Sequence, residues 1–384
     1  MKHVIIEGWR GINHSIAMVN QYQLIELLKM DNLSIYHRDL PYLNLSWNMT
    51  DNDSGLPSAV KEQINSIPPP EWGWYDCVYC TQSRHDRPRP LADRVITFLI
   101  TEFGFNISTD KKEYVESICY GENLVVSPSN WVTAKLVEFG FSSDKIQLVP
   151  LGVNPHIFFP SPLEERNILR SQLNASPEHF VFLNVGAMTW NKGIDLLLRS
   201  FAEVRKVHSN ARLVLKDNSK LYGFGADNVV QKVYADFPQL MTEEVRSSIV
   251  LIKSTLTIPQ MRLLYGSADA YVSPYRAEGF NLPVIEAIAC GTPVIVTAGG
   301  STDDFCDNDT ASFVISDRVD NRVKLIDRAG FHLEPDIEHL VHQMKTAITD
   351  RTREKSSFED GRSHLISNYS WEAGTKKLVS FFTR

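Results

Sequence analysis

Short apolar runs alternate with segments of helical period along the whole chain, and this alternation predicts an α/β protein. Ser15–Leu28, Ile194–Val207 and Gln260–Tyr265 carry apolar residues at helical spacing. Strands and helices in alternation favour parallel sheets that are covered by helices on both faces. The predicted strands are Val4–Ile6, Cys77–Tyr79, Val95–Ile100, Leu124–Ser127, Ile146–Pro150, Phe180–Val185, Leu213–Lys216, Ile249–Lys253, Ala270–Ser273 and Val294–Thr297.

Capping residues set the predicted ends of several helices. Ser129 precedes a helical segment and is expected to cap it. Thr257–Gln260 has the spacing of a capping box, with a proline in the first turn, where proline is tolerated. Pro283 is expected to open another helix, and Gly291 to close it.

The length of 384 residues suits two domains better than one. The break is expected after Leu148–Val153, because Asn154–Pro162 is rich in proline and aromatic residues and Leu163–Ala175 has the pattern of a connecting helix. We therefore predict an N-terminal domain over residues 1–160 and a C-terminal domain over 161–370.

The composition is that of a globular protein, with 43% apolar and 22% charged residues. The formal net charge is −7, from 39 basic and 46 acidic residues, and this acidic balance argues against nucleic acid as a partner. The densest basic stretch contains Arg84, Arg87, Arg89 and Arg94. It is either a solvated loop or a site that recognises an anionic substrate or a lipid headgroup.

The first residues have the pattern of a strand, without the apolar core of a signal peptide, and the sequence contains no run long enough to cross a bilayer. Cys77 and Cys80 form a single CxxC inside an apolar run, without a second pair that would complete a zinc site. We interpret them as incidental thiols of a buried strand. These features predict a cytoplasmic protein, with a peripheral position at the inner face of the membrane left open.

The stretch from Ser273 to Ala287 carries the most informative chemistry. An apolar strand ends at Ser273, a polar loop follows, and a helix begins at Pro283. Loops beyond the carboxyl ends of parallel strands are where open α/β sheets bind ligands. Glu278 in this loop and Glu286 in the helix could accept hydrogen bonds from the paired hydroxyls of a sugar or ribose, while the first amides of the helix suit an anion. The alternative is that both are solvated charges at a helix end.

The string Glu278–Ala287 resembles the signature of the retaining glycosyltransferases of family 4. Four other segments are similar to elements of that family, namely Val125–Trp131, Lys145–Asn154, Asn191–Leu197 and Tyr369–Glu372. The resemblance covers roughly residues 120–375, while residues 1–120 match only in layout. It implies the GT-B fold, in which two Rossmann-like, doubly wound parallel-sheet domains face each other across a cleft. The second domain would hold a nucleotide sugar, the first domain the acceptor, and the C-terminal helix 371–384 would join the first domain.

The resemblance also assigns roles around the two glutamates. Glu286 would hold the ribose hydroxyls, and Glu278 would face the transferred sugar. Lys192 matches the lysine that neutralises the leaving diphosphate, where a fixed ammonium stabilises the growing negative charge. The backbone amides expected to face the sugar and the phosphates are those of Gly279, Phe280 and Asn281, with Leu282 beside them at the helix start.

Two departures from the family pattern affect catalysis. Family members commonly carry an arginine directly after the glycine that matches Gly186, and alanine stands there in this chain. Lys216, at the end of a neighbouring strand, is a candidate to replace that charge. Glu102 stands where many members have a histidine, and it is either a group that contacts the reacting sugar or acceptor, or a helix-capping or paired carboxylate.

Further donor and acceptor residues follow from the same resemblance. Gly299 and Gly300 would approach the β-phosphate, because glycines permit close contact with the backbone. Ser254 would lie near the base, and Gly11 would face the donor phosphates from the first domain. Asn13, His14 and Ser15 would lie near the acceptor, although a histidine after a loop is also commonly solvated.

Five of the seven tryptophans lie in the first half of the chain. Trp72 and Trp74 precede a predicted strand, and core packing is the expected role for them. Stacking on an acceptor sugar is the alternative.

The resemblance implies transfer of a sugar, with retention of configuration, from a nucleotide sugar to a hydroxyl of a glycan, lipid-linked sugar, protein or small molecule. A UDP- or GDP-sugar is the expected donor. We expect no cofactor and no metal, because no DxD motif stands at a suitable place. The alternatives are another GT-B enzyme, such as a sugar-nucleotide epimerase or a phosphorylase, or a non-catalytic nucleotide-sugar-binding partner of another glycosyltransferase.

Overall fold

Two six-stranded parallel sheets, each with its own helices, form the framework of the chain. The computed structural model describes residues 1–82, 87–88, 90–105, 110–321, 330–350 and 355–382. The first unit contains Met1–Gly152, to which Asn321, Gly330 and residues 369–382 are added, and the second contains Val153–Asp320 and Phe331–Asn368. The α/β class and the two parallel sheets predicted from the sequence are confirmed.

The sheet of the first unit has the strand order β2-β1-β3-β4-β5-β6. Its strands are β1 (Lys2–Gly8), β2 (Leu33–Asp39), β3 (Tyr75–Cys80), β4 (Ala92–Phe98), β5 (Leu124–Ser127) and β6 (Ile146–Leu148). Its first helices are α1 (Ser15–Leu27), α2 (Ser58–Asn65), α3 (Lys111–Ile118) and α4 (Asn130–Phe139). Most residues of the central strands are buried, because both faces of a parallel sheet are covered by helices.

The sheet of the second unit has the order β12-β11-β10-β7-β8-β9. Its strands are β7 (Phe180–Val185), β8 (Ala211–Lys216), β9 (Ile249–Ile252), β10 (Ala270–Ser273), β11 (Val294–Thr297) and β12 (Ala311–Val314). An antiparallel hairpin of β13 (Ser316–Asp320) and β14 (Phe331–Pro335) follows, with Asp317 opposite Glu334.

Helices surround this second sheet and bury a large apolar core against it. They are α5 (Leu163–Gln172), α6 (Ile194–Arg205), α7 (Ser219–Tyr222), α8 (Ala226–Asp236), α9 (Glu243–Ser247), α10 (Ile258–Ser267), α11 (Leu282–Ala289), α12 (Ile337–Thr349) and α13 (Lys355–Asn368). Leu197 and Phe201 of α6 are fully buried in the same cluster as Leu340 of α12 and Phe182 of β7. The helical spacing of the apolar residues in α6 places them on the face that this core covers.

The last helix, α14 (Trp371–Val379), belongs to the first unit although the whole second unit separates it in sequence. The ring of Trp371 stacks on Tyr22 of α1 with centroids 5.0 Å apart. None of the helices in the described ranges is long and apolar enough to cross a membrane.

Each of the ten predicted strands coincides with an observed one, within a few residues at the ends. The predictions missed β2, β12, β13 and β14. Strand β2 has a polar residue at every second position and β13 is almost entirely polar, so neither resembles the apolar runs on which the predictions were based.

The predicted helix boundaries are confirmed. The Ser129 hydroxyl accepts a 3.2 Å hydrogen bond from the amide of Val132 and caps α4. Thr257 and Gln260 form the expected capping box at the start of α10. Gly291 follows α11 with φ of +84°, a value that favours glycine.

Two other expectations were wrong. Trp72 and Trp74 are 94% and 65% exposed, so they do not pack in the core. They stand in a turn just before β3 and lie outside the sheet. The residues that follow them, in β3, are the ones that the sheet buries. Arg94 is buried rather than solvated, and its Nη1 donates a 2.9 Å hydrogen bond to the carbonyl oxygen of Phe381. Arg84 and Arg89 lie outside the described residues.

Cys77 and Cys80 lie in β3 and are buried, as expected for incidental thiols. Burial raises the pKa of both thiols, which keeps them protonated and poor as metal ligands.

Candidate functional site

Most of the candidate site residues predicted from the sequence lie at the carboxyl edge of the second sheet. Because β7 to β12 are parallel, the segments that follow them lie along one edge of the sheet. From β7 the chain proceeds to β8 and β9 on one side and returns to β10 and β11 on the other, so β7 and β10 flank the topological switch point. Open α/β sheets bind ligands at this point.

An ion pair joins the segments that follow β7 and β10. Lys192 ends the 3₁₀ turn Trp190–Lys192 before α6, and its Nζ donates to Oε1 of Glu278 at 2.5 Å. Glu278 is only 7% exposed. A carboxylate and an ammonium, largely withdrawn from water, therefore stand together at the switch point.

Close backbone contact keeps the two segments of this pair together. Gly193 has φ of +69°, and a Cβ there would overlap the carbonyl oxygen of Pro274. Position 193 therefore requires glycine for two reasons, the close contact with Pro274 and the positive φ. The side-chain amide of Asn191 adds a 3.2 Å hydrogen bond to the carbonyl of Ala277.

The loop after Glu278 leads directly into α11. Phe280 is buried and packs on Phe305, with ring centroids 5.0 Å apart. Asn281 adopts the left-handed conformation with φ of +78°, and its side-chain amide donates to the hydroxyl of Ser273 at 3.0 Å. This side chain therefore does not cap α11, whose first turn begins with Leu282. A helix start of this kind suits an anion, as predicted for Gly279 and its neighbours.

Glu286 lies in α11, and its carboxylate accepts a 2.7 Å hydrogen bond from the hydroxyl of Tyr265 in α10. Burial raises the pKa of Glu286 to about 7, and the hydrogen bond from Tyr265 opposes this shift. Tyr265 is fully buried. The sequence analysis did not identify Tyr265 as a site residue, because only the position of α10 beside α11 brings it to Glu286.

Lys216 ends β8, and it is buried with only 6% exposure. Its ammonium donates to the backbone carbonyl of Asp217, and burial lowers its pKa. The amide of Gly186, which follows β7, donates to the carbonyl of Lys216 at 3.0 Å. Gly186 has φ of +147° with open space where a side chain would stand. The two nominated residues are thus adjacent at the same sheet edge.

The glycine loop after β11 is held by a side chain of its own, Asp303, and by Tyr275 from the segment after β10. The amide of Gly299 donates to Oδ2 of Asp303 at 2.8 Å. A Cβ at Gly300 would overlap the hydroxyl of Tyr275, which pairs with Thr302 Oγ1 at 2.7 Å. Ser254, two residues after β9, is exposed.

The first unit holds the nominated acceptor residues, which follow β1. His14 caps α1, because its Nδ1 accepts a 3.2 Å hydrogen bond from the amide of Ile16. Its ring lies 5.1 Å from that of Trp9 and 5.0 Å from that of Trp47. Burial lowers the pKa of His14 to about 4, so the imidazole is neutral near pH 7. His14 is therefore packed between aromatic rings rather than solvated.

The other candidate site residues of the first unit are Gly11, Asn13, Ser15 and Glu102. Gly11 has φ of +83°, and its amide donates to Oε1 of Gln21 at 3.0 Å. The backbone amide of Asn13 donates a hydrogen bond to the backbone carbonyl of Asn52, and Ser15 is exposed at the start of α1. Glu102 lies in a turn after β4, where its carbonyl accepts a 3.0 Å hydrogen bond from the indole of Trp131.

Within the described ranges, no three His, Cys, Asp or Glu side chains come together as a metal site would require. The absence of a metal requirement stays a prediction.

A doubly wound sheet with carboxylates, lysines and glycines at its switch point is the architecture of nucleotide-binding α/β proteins. The family described as "Glycosyl transferases group 1" matches residues 165–357. The chain belongs to this family.

Curated relatives match shorter parts of the chain. It is 26% identical over 251 residues to a lipopolysaccharide 1,2-N-acetylglucosaminetransferase of Salmonella typhimurium, covering 65% of this chain and 58% of that protein. It is 27% identical over 183 residues to D-inositol 3-phosphate glycosyltransferase 1 of Catenulispora acidiphila, covering 48% of this chain and 42% of that one. The matches thus span less than two thirds of these relatives.

Solved structures match over almost the entire length. A glycosyltransferase from Rickettsia africae covers 99% of this chain and 98% of its own, with a TM-score of 0.73 and 18% identity. An Anabaena protein in complex with UDP and glucose covers 99% of both chains, with a TM-score of 0.70 and 13% identity. The chain has the GT-B fold, as the resemblance implied.

Proposed function

We propose that this protein transfers a sugar from a nucleotide-sugar donor to a hydroxyl acceptor, with retention of configuration at the anomeric carbon. The observation that carries the proposal is the Lys192–Glu278 contact of 2.5 Å at the switch point of the second sheet. Both residues lie in the part of the chain that the family matches.

In this proposal the second unit binds the donor. The Glu286 carboxylate accepts hydrogen bonds from the ribose hydroxyls. The start of α11, with the backbone amides of Gly279, Phe280 and Asn281 just before it, receives the phosphates. Gly186, Lys216, Ser254, Gly299 and Gly300 border the same edge and contribute the remaining donor contacts.

Lys192 supports departure of the nucleotide. As the bond between the anomeric carbon and the phosphate oxygen breaks, negative charge grows on the diphosphate. The fixed ammonium of Lys192 stabilises this charge more than that of the bound donor, which lowers the barrier. Without donor, Glu278 neutralises the ammonium of Lys192 and holds it in position. When the donor binds, its diphosphate becomes the partner of this ammonium.

The acceptor hydroxyl attacks from the face that the nucleotide leaves. Its oxygen forms the new bond to the anomeric carbon, and its proton passes to the departing phosphate oxygen. Glu278 faces the reacting sugar, and Glu102 is the candidate for contact with the sugar or acceptor from the first unit. Asn13, His14 and Ser15 are the proposed acceptor residues, and Gly11 before them is proposed to face the donor phosphates.

We place this reaction in the cytoplasm. All five cysteines are free, and four of them are buried, which suits a reducing compartment.

Donor hydrolysis by the purified protein tests the proposal. UDP-, GDP- and ADP-sugars are offered singly without acceptor, beginning with UDP-glucose, and the released nucleotide is measured. We expect release from one donor, loss of release in Glu286→Gln, and unchanged release in Glu164→Gln, which alters an exposed carboxylate of α5 in the same unit.

An acceptor screen under the same conditions completes the test. Transfer of the sugar with retained configuration is expected. Nucleotide binding without release or transfer from any donor would contradict the proposed activity, and absence of binding would contradict the assignment of Glu278 and Glu286.

A further inference from the structure

Arg276 carries a charge deep in the second unit, two residues before Glu278. It is only 3% exposed. Its Nη atoms bond both carboxylate oxygens of Asp195 at 2.7 and 2.9 Å, and its Nε and Nη2 bond Glu334 at 3.0–3.1 Å. A guanidinium withdrawn from water is stable only when its donors are paired in this way.

The same guanidinium supports the turn that ends with Lys192. Its central carbon lies 4.4 Å from the ring centroid of Trp190, and its Nη1 donates to the Trp190 carbonyl at 3.0 Å. The imidazole of His332, from β14, meets that indole edge to face at 5.0 Å. Trp190 is therefore held between Arg276 and the hairpin, two residues before Lys192.

Backbone hydrogen bonds also join Arg276 to the turn that carries Lys192 and to strand β14. Its amide donates to the carbonyl of Asn191 at 2.7 Å, and its carbonyl accepts from the amide of Leu333 at 2.7 Å. The turn carrying Lys192, the loop carrying Glu278 and strand β14 thus meet at one residue.

We propose that Arg276, held by Glu334, is a positioning residue that sets the geometry of the Lys192–Glu278 pair, so that the β13–β14 hairpin governs turnover of the donor. This inference rests on the proposed function of the pair. Neither Arg276 nor Glu334 touches the reacting atoms in this assignment. Their effect is transmitted through Trp190 on one side and the backbone of residues 276–278 on the other.

Loss of Glu334 removes one of the two carboxylates that fix the guanidinium. The turn and the loop then gain freedom, and the Lys192 ammonium is no longer held at one place. A misplacement of about 1 Å can slow the chemical step by about 10²-fold, whereas donor binding through Glu286 and α11 is expected to be unaffected. A fall in kcat with little change in KM is the expected signature.

The first measurement compares Glu334→Ala with two other variants. Asp317→Asn removes an exposed carboxylate from the directly opposed position of the hairpin and serves as the matched control. We expect Glu334→Ala to lower kcat by about tenfold or more, with KM for the donor changed by less than about twofold. Glu334→Gln, which keeps an acceptor for Arg276, should restore much of the loss, and Asp317→Asn should match the unmodified protein.

A double variant separates positioning from a general loss of structure. If Glu334 acts through Lys192, Glu334→Ala should have less than about a twofold effect on kcat when Lys192→Ala is already present. An equal loss in both backgrounds would overturn the proposal.

A donor-free readout keeps this inference distinct from the proposed function. Acetylation of Lys192 by acetic anhydride, followed over time by peptide mass spectrometry, reports how firmly the ammonium is held. We expect several-fold faster labelling of Lys192 in Glu334→Ala and an unchanged rate in Asp317→Asn. Unchanged labelling in Glu334→Ala would overturn the positioning role even if no donor is turned over, whereas failure of all donors with faster labelling would contradict only the proposed function.

Discussion

The hydroxyl of Tyr265 donates a 2.7 Å hydrogen bond to Oε2 of Glu286. Burial raises the pKa of Tyr265 well above its ordinary value, so the hydroxyl stays protonated and remains the donor. Glu286 thereby receives a neutral partner that favours its ionised form. A buried tyrosine on one helix thus adjusts the charge of the carboxylate proposed to hold the ribose on the next.

Tyr265→Phe removes this hydrogen bond with little change in shape. The pKa of Glu286 should rise above about 7, because burial still opposes its ionisation and the hydroxyl is no longer there to favour the ionised form. Nucleotide binding near pH 7 should weaken several-fold and recover toward about pH 9. Calorimetric Kd values across this range check the expectation.

Tyr271→Phe is the matched control for this measurement. Tyr271 is equally buried, but its hydroxyl donates to the carbonyl of Val185. Its loss should leave the pH dependence of binding in place. The same shift in both variants would show that Tyr265 has no particular influence on Glu286.

Glu286 also predicts a dependence of stability on pH. Its pKa in the folded protein, about 7, is raised above that of an unfolded glutamate, about 4.3. Its contribution to stability is therefore fully present below about pH 4 and is lost as the pH rises through about 7. Glu286→Gln should remove this loss, which is at most about 4 kcal/mol, from the free energy of unfolding. Urea unfolding at several pH values measures it, and an unchanged pH profile in the variant would contradict the raised pKa.

Lys192→Ala tests the group assigned to the leaving diphosphate. We expect kcat to fall about 10²- to 10³-fold, because one preorganised charge at the developing anion is lost. Lys216→Ala should cause a comparable fall if Lys216 replaces the missing arginine of the family. Steady-state kinetics with the preferred donor compare the two.

Lys206→Ala is a suitable control for both lysine variants, since Lys206 is exposed after α6 and pairs with Glu203. Its kinetics should be unchanged. Normal turnover in Lys216→Ala would remove Lys216 from the donor site without affecting the role of Lys192.

Gly193→Ala should destabilise the second unit. The substitution combines a left-handed φ of +69° with overlap of the Pro274 carbonyl. Gly223 has the same φ of +69° but open space around it, so Gly223→Ala carries the conformational strain alone. We expect a loss of about 1 kcal/mol for Gly223→Ala and about 3 kcal/mol or more for Gly193→Ala. Urea unfolding followed by circular dichroism compares them, and equal losses would contradict the close approach.

The strands were the part of the fold that local sequence predicted best. A buried parallel strand must be apolar on both faces, so runs such as Phe180–Val185 are recognisable without their neighbours. Strands β2 and β13 lack that pattern because fewer of their residues face a core. For Trp72 and Trp74 the error is the opposite one, because core packing was predicted and both rings are exposed. Residue type alone does not reveal that the turn before β3 leaves these rings outside the core.

The sequence predicted the site residues that are close to one another along the chain. Glu278 and Glu286 share one strand–loop–helix segment, whose order along the chain already fixes where both lie relative to the sheet. Tyr265 and Arg276 were not identified, because their significance lies in partners 21 and 58 residues away. Such pairings follow from the packing of α10 on α11 and of β14 beside the Glu278 loop, which the local pattern does not contain.

The return of α14 to the first unit has a consequence for synthesis on the ribosome. Trp371 covers Tyr22, and the backbone at Ser370 lies so near Gly152 that no side chain would fit there. Because the chain emerges from its amino end, this surface of the first unit has no cover until the entire second unit has been made. The first unit therefore stays incomplete while the second unit is synthesised, and α14 can complete it only after residues 153–368 have been made.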